Sequence, residues 1–287
     1  MEKITKNNYS EQFRLFNLRR VESEATIEHY RVYMDLFFRY TGADFEDFGN
    51  QKHFAKCFEK LFKIESIKNE TRKKFLKISR LFGDFLVENE IIEYNAPRAI
   101  KPPKTTTPLP LPIEENILYK IKEIIQNSYS GYLQERNLMI FETLLHTGAR
   151  KMELLNIEQK YIFQEKIFIK SGKGNKDRYI YLDTEFSQKL QKFVKKYPGK
   201  YLFSNIRKEK LGESGLKNLF LKIKSHIQEP MYAHRLRHTY ATILMEKGVD
   251  IGIIKEQLGH SDISTTNKYI RISNEHRRKI LENIHFS

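Results

Sequence analysis

The sequence predicts a mainly α-helical protein with one small antiparallel β-sheet, divided into two domains. Three observations carry that expectation. Apolar residues recur at three- and four-residue spacing along several stretches, the period of a helix with one buried face. Two short runs rich in β-branched and aromatic residues flank a glycine-containing turn. Six of the eight prolines lie between Pro97 and Pro112. Proline fixes φ, removes a backbone donor and biases its predecessor toward extended backbone. Residues 97–112 therefore read as an extended linker with no helical stretch, between domains at 1–96 and 113–287. A chain of 287 residues is long enough for two cores.

In the first domain, Tyr30, Tyr33, Met34, Phe37 and Phe38 mark one helix. A second runs from about Asn69 to Asn89, with Phe75, Ile78, Phe82, Phe85 and Leu86 on one face. Lys73, Lys77 and Arg80 fall on another face of that helix, at spacings of four and three, and are candidates for lying along DNA phosphates. After the linker, residues 114–125 and 132–145 read as helices. Ile167-Phe168-Ile169 and Tyr179-Ile180-Tyr181-Leu182 read as strands joined through Ser171-Gly172-Lys173-Gly174-Asn175-Lys176, a hairpin. From about Glu185 onward the pattern is mostly helical, including a helix over 251–258 ended by Gly259.

The formal net charge is +15 and uneven. Residues 1–98 hold 18 Lys/Arg against 16 Asp/Glu, and the remainder holds 33 against 20. Such a surface favours polyanions and salt-dependent binding. No apolar run approaches the ~18 residues of a membrane span, and the polar start of the chain lacks a signal segment, so a cytoplasmic location is expected. Cys57 is the only cysteine, which excludes an internal disulfide and a multi-cysteine zinc site.

Cutting a DNA backbone without a metal needs fixed donors for the phosphate oxygens, an in-line nucleophile, a proton for the leaving oxygen and a proton acceptor beside the nucleophile. Arginine suits the first role, because its planar fork stays charged and donates two hydrogen bonds. Arg150 stands in Thr147-Gly148-Ala149-Arg150, where glycine suggests a turn feeding a helix, and Glu153 one turn later is placed to orient a basic neighbour. Lys173 sits at the hairpin tip between two glycines, with Lys176 and Arg178 as nearby competitors. His234 and Arg237, three apart on a helix, are expected to share a face. His238 is expected to point elsewhere, as a structural residue. His260 follows Leu258-Gly259, and Tyr269 comes nine residues later. A zinc site built from His234, His238 and His260 is disfavoured, since His-x-x-x-His lacks an intervening glutamate here and no cysteine joins it.

In this order and spacing, these segments resemble the tyrosine recombinase (phage integrase) family. The Thr-Gly-x-Arg-x-x-Glu-Leu box matches 147–154, Gly-Lys-Gly matches 172–174, His-x-x-Arg-His matches 234–238, and Leu-Gly-His matches 258–260, with Tyr269 at the nucleophile's distance. Around Thr26 to Tyr30 and Arg72 to Leu86 the first domain looks, more loosely, like the family's helical core-binding domain. The resemblance implies a catalytic second domain in which Arg150 and Arg237 clamp the scissile phosphate and Lys173 protonates the leaving 5′-oxygen. His234 is implied as general acid/base, His260 as a donor to phosphate, Glu153 as support, and Tyr269 as the nucleophile forming a 3′-phosphotyrosyl bond. It implies no metal or cofactor, double-stranded recombination sites as substrate, a homotetramer on two DNA sites and a Holliday junction. It also implies docking of the C-terminal segment (Asn274 to Ile284) on a neighbouring subunit. An accessory directionality protein is a further possible partner. The competing readings are type IB topoisomerase-like strand relaxation, a telomere resolvase and a catalytically idle DNA-binding protein. The short stretch before the first domain favours the compact two-domain form, shared by chromosome-dimer resolvases and mobile-element integrases.

Overall fold

The computed structural model describes residues 4, 8–20, 22–105, 112–170 and 177–259. The chain divides into two compact units, Met1–Thr107 and Pro108–Ser287. Among the described residues, no helix is long and apolar enough to cross a membrane.

The first unit is built from α1 (Tyr9–Arg19), α2 (Glu24–Thr41), α3 (Gln51–Lys60) and α4 (Asn69–Glu88). Local chemistry sets their ends. The Ser23 side chain accepts from the Thr26 amide at 3.3 Å and opens α2. Gly42, at φ +66°, closes it in the left-handed region. Asn50 caps α3 through the His53 amide at 3.1 Å. The unit's core is aromatic. The Phe82 ring meets Tyr9, Phe13, Phe45, Phe48 and Phe85 at centroid distances of 5.1 to 5.5 Å, mostly edge to face, the geometry ring quadrupoles favour. Helices α1 and α3 lie outside the stretches singled out from sequence. Each is short, and only Tyr9, Phe13 and Phe16, or Phe54, Cys57 and Phe58, mark its buried face.

The proline-rich stretch differs from its expected extended form at its start. Residues Ala96–Ala99 form a 3-10 turn with Pro97 in its first positions, where the missing N–H is no loss. Ala96 and Pro97 are buried. The turn is held on α4 by side chains. Arg80 donates to the carbonyls of Pro97 (3.2 Å) and Ile100 (2.7 Å). Arg98 grips Asp84 through two N–H groups at 2.9 and 2.7 Å.

The second unit contains α5 (Glu115–Ser128), α6 (Gly131–Thr147), α7 (Lys151–Asn156), α8 (Thr184–Lys196), α9 (Glu213–Ile227), α10 (Ala233–Glu246) and α11 (Ile251–Leu258). Strands β1 (Lys166–Ile169) and β2 (Arg178–Tyr181) pair antiparallel, with Ile167 opposite Ile180. The ladder extends past β2, because the Leu182 amide bonds the Glu165 carbonyl at 2.9 Å. Helix α6 is buried on most of its surface. It runs through a core of Ile121, Ile140, Leu144, Leu154, Ile167, Ile180, Leu190 and Leu236. Helices α10 and α11 pack together through Tyr240, Ala241, Ile254 and Leu258.

Candidate active site

Arg150 is placed by two helix ends. Helix α6 stops at Gly148, whose φ of +58° suits glycine. Two residues later Arg150 stands at the N-cap of α7 in extended backbone. Glu153, in the first turn of α7, reaches back so that its carboxylate accepts from the Arg150 amide at 2.8 Å. The same carboxylate accepts from Arg150 Nη1 at 2.8 Å.

A second arginine completes the carboxylate's shell. Arg178, the first residue of β2, donates Nη1 to Glu153 Oε1 (2.8 Å) and Nη2 to Oε2 (2.9 Å). Glu153 is 7% exposed. Burial opposes its ionisation, but the hydrogen bonds and charge of Arg178 and the two donors of Arg150 outweigh burial and hold its pKa at about 2.

Three guanidinium groups then converge on the end of α11. Arg178 Nε donates to the carbonyl of Gln257 (2.9 Å), Arg237 Nη2 to Leu258 (2.7 Å) and Arg150 Nη2 to Gly259 (2.8 Å). The last carbonyls of a helix have no partner within it and carry its negative dipole end, so cations suit them. Arg237 also donates Nη1 to the carbonyl of Gly148 at 2.8 Å, so it bridges the negative ends of α6 and α11. It is 1% exposed, whereas the Arg150 side chain is 32% exposed and open to an anion. Residue 260 follows this clamp directly in sequence.

Tyr240, two turns beyond Ala233 on α10, lies against Gly148 and is buried. Burial, then the charge of Asp183, push its hydroxyl pKa up to about 12 against the pull of Arg178 and Arg237, so it stays neutral. Asp183 caps α8 through the Phe186 amide (2.8 Å) and pairs with His146 at 2.7 Å.

The site residues read from sequence are distributed as follows. Arg150, Glu153 and Arg237 come together. His234 lies exposed near the start of α10, three residues before the buried Arg237. His238 does not point away from His234: four residues on, it falls on the same side of the helix, and the rings meet edge to face at 4.5 Å. Lys173, His260 and Tyr269 lie outside the described residues, as does the segment from Asn274 to Ile284. In the first unit Lys73 and Lys77 are exposed on α4, whereas the Arg80 guanidinium is engaged by the two carbonyls named above. Among the described residues no group of three or more His, Cys, Asp or Glu is arranged to hold a metal ion. Arg178, read from sequence only as a competitor of Lys173 at the hairpin, closes instead on Glu153. Its signal was weak, a basic residue opening a strand, and its meaning lies in Glu153, 25 residues away.

The sequence profile of the phage integrase family matches residues 118–276. The tyrosine recombinase XerD of Staphylococcus haemolyticus is 31% identical over 253 residues, covering 83% of this chain and 84% of its own. The tyrosine recombinase XerA of Pyrococcus horikoshii is 28% identical over 288 residues, covering 98% and 95%. Among solved structures, the XerH site-specific recombinase bound to palindromic difH substrate, a post-cleavage complex, has a TM-score of 0.72 at 22% identity, covering 96% of this chain and 84% of that one. A lambda integrase tetramer bound to a Holliday junction has a TM-score of 0.76 at 18% identity, covering 93% and 78%. The chain belongs to the phage integrase family, and its class of activity is that of a tyrosine site-specific recombinase.

Proposed function

We propose that this chain cuts and rejoins double-stranded DNA at specific sites through Tyr269. The Tyr269 hydroxyl oxygen attacks the scissile phosphorus, a 3′-phosphotyrosyl bond forms, and the bond to the 5′-oxygen breaks. His234 takes the phenolic proton, and Lys173 protonates the departing 5′-oxygen. Arg150, Arg237 and His260 donate to the phosphate oxygens as charge develops on them. Glu153 holds Arg150. Attack by a 5′-hydroxyl of a partner strand reverses the step, so the phosphodiester energy is kept and no cofactor is needed. The observation that carries this reading is the closure of Arg150 and Arg237 on the carbonyls of Gly259 and Leu258, the two residues that precede His260 in the sequence.

Lys73 and Lys77 serve in this reading as phosphate contacts of the first unit, with Arg80 bracing the surface on which they stand. Exchange between two sites requires a tetramer and a Holliday junction. The segment from Asn274 to Ile284 is the proposed contact between subunits, and an accessory protein is a candidate for setting direction. A cytoplasmic location accords with a DNA substrate.

Recovery of covalent protein–DNA adducts under denaturing conditions tests the proposal, with wild type compared against Tyr269→Phe and the trapped DNA sequenced. Adducts at a discrete, partly palindromic site that vanish in the variant are the expected result. Scattered tyrosine-dependent adducts point instead to strand relaxation, and adducts that survive in Tyr269→Phe overturn the assignment of the nucleophile.

A further inference from the structure

Arg178 has no part in the reaction as written above, yet it is one of the most constrained side chains of the second unit. Its side chain is 9% exposed. All three guanidinium nitrogens are used, two on Glu153 and one on the Gln257 carbonyl. Gly259 closes over it: a β-carbon there would lie 2.8 Å from Arg178 Nη1. The three contacts join the start of β2, the start of α7 and the end of α11.

A buried ion pair is a poor device for stability alone, because an apolar replacement often does as well, but it fixes orientation. Here the orientation concerns Arg150. Glu153 Oε1 is shared, accepting from Arg150 Nη1 and Arg178 Nη1, each at 2.8 Å. With Arg178 gone, the carboxylate keeps only Arg150 and is free to turn about its own side chain. Arg150 then loses its fixed angle, and α11 loses one of its three end clamps. Lysine cannot replace the group: it offers a point charge and no planar fork to span two carboxylate oxygens and a carbonyl.

We propose that Arg178 is a positioning residue of this active site, a latch that locks β2, α7 and the end of α11 so that Arg150 is held at a fixed angle to the phosphate. The proposal rests on the recombinase reading and deepens it. Arg178 touches neither DNA nor the nucleophile in this scheme; it acts through Glu153 and Gln257.

The test compares full-length wild type, Arg178→Lys and Arg178→Gln in two measurements. The first is hydrogen exchange of the free protein. Amides at the end of α11 and the start of α7 should exchange about tenfold faster in both variants while those of α5 and α6 stay protected, a local rather than global opening. The second is single-turnover cleavage, at saturating protein, of a nicked duplex carrying the sequence recovered with the Tyr269 adducts. The rate should fall by about a hundredfold with duplex affinity unchanged, since misplacing a reacting group by ~1 Å costs that much. Unchanged exchange, or a rate within about twofold of wild type in Arg178→Lys, overturns the proposal. A loss that appears as weakened duplex binding with the rate intact also overturns it. A wild type that cuts no duplex defeats the recombinase reading and the catalytic use of the latch together, while exchange still reports separately whether Arg178 holds α11.

Discussion

The ring of Tyr240 sits so close to Gly148 that a β-carbon at position 148 would lie 2.5 Å from Tyr240 Cδ1. Leu258 Cδ2 would be 2.7 Å from the same atom. Gly148 is therefore where α6, α10 and α11 touch, and its carbonyl is one of the two that hold Arg237. The glycine of the Thr-Gly-x-Arg box acts through steric room as much as through its left-handed backbone.

Gly148→Ala should destabilise the second unit by roughly 2 to 4 kcal/mol, combining left-handed strain with overpacking against a ring that has nowhere to move. Gly131 is the control. Its φ is +55°, but nothing lies within 4 Å of where its β-carbon would be. Gly131→Ala should cost only about 1 kcal/mol of backbone strain. Urea midpoints followed by circular dichroism compare the two; equal losses would show that contact with Tyr240 is unimportant.

Glu153 makes stability depend on acid. Its folded pKa of about 2 lies below the ordinary 4.5, so the ionised form is what folding favours. The stabilisation is fully present above pH 4.5 and is lost as pH falls toward 2. Its size is roughly 3 kcal/mol at neutral pH, taken from the gap between the two values. Glu153→Gln should lower stability at pH 7 and show a flatter decline between pH 5 and 3 than wild type. Parallel curves for the two proteins would mean that another group governs acid unfolding.

The parts legible in the sequence are those whose information is local. Helices α2, α4, α5 and α6 stand within a few residues of where periodicity places them, because each runs 14 residues or more. Helices α1 and α3, at 11 and 10 residues, carry fewer apolar residues on a face, and α11, at 8, is legible only through the glycine at its end. The turn at Pro97 is not legible locally, because proline that breaks a helix interior is tolerated in a first turn, and Arg80 secures this one from another helix. In the site, Arg150 and Arg237 were recognisable by type and spacing. What they bind here was not, since backbone carbonyls carry no residue identity and lie 21 to 109 positions away. The exposure of His234 beside a buried Arg237 was equally hidden, because sequence sets only their angular offset on α10. How far each reaches inward depends on α6 and α11.

The aromatic core of the first unit depends on one ring more than on its neighbours. Phe82 is fully buried and meets five other rings within 5.5 Å. Phe82→Ala should cost about 3 to 5 kcal/mol through lost transfer energy and a cavity that rigid rings cannot fill. Phe62 is 48% exposed and lies under the Arg72 guanidinium at 4.5 Å. Phe62→Ala should cost no more than about 1 kcal/mol. Calorimetric melting of the two variants measures the contrast, and comparable shifts would deny Phe82 its central place.

Lys73 and Arg80 share a helix but should report on different things when DNA is titrated. Lys73 and Lys77 are exposed on α4, so each is available to a phosphate. Arg80 spends its donors on Pro97 and Ile100. Replacing a lysine that contacts phosphate releases one fewer counterion, which flattens the plot of log affinity against log salt by about 0.9 per contact. Lys73→Gln and Lys77→Gln should each lower the slope by about that amount on a mixed-sequence duplex while leaving the melting temperature unchanged. Arg80→Gln should leave the slope intact and lower the melting temperature instead, because it unfastens the turn at 96–99 from α4. A slope that drops with Arg80→Gln and holds with the two lysines would reverse the assignment and place the phosphates over the other end of that face.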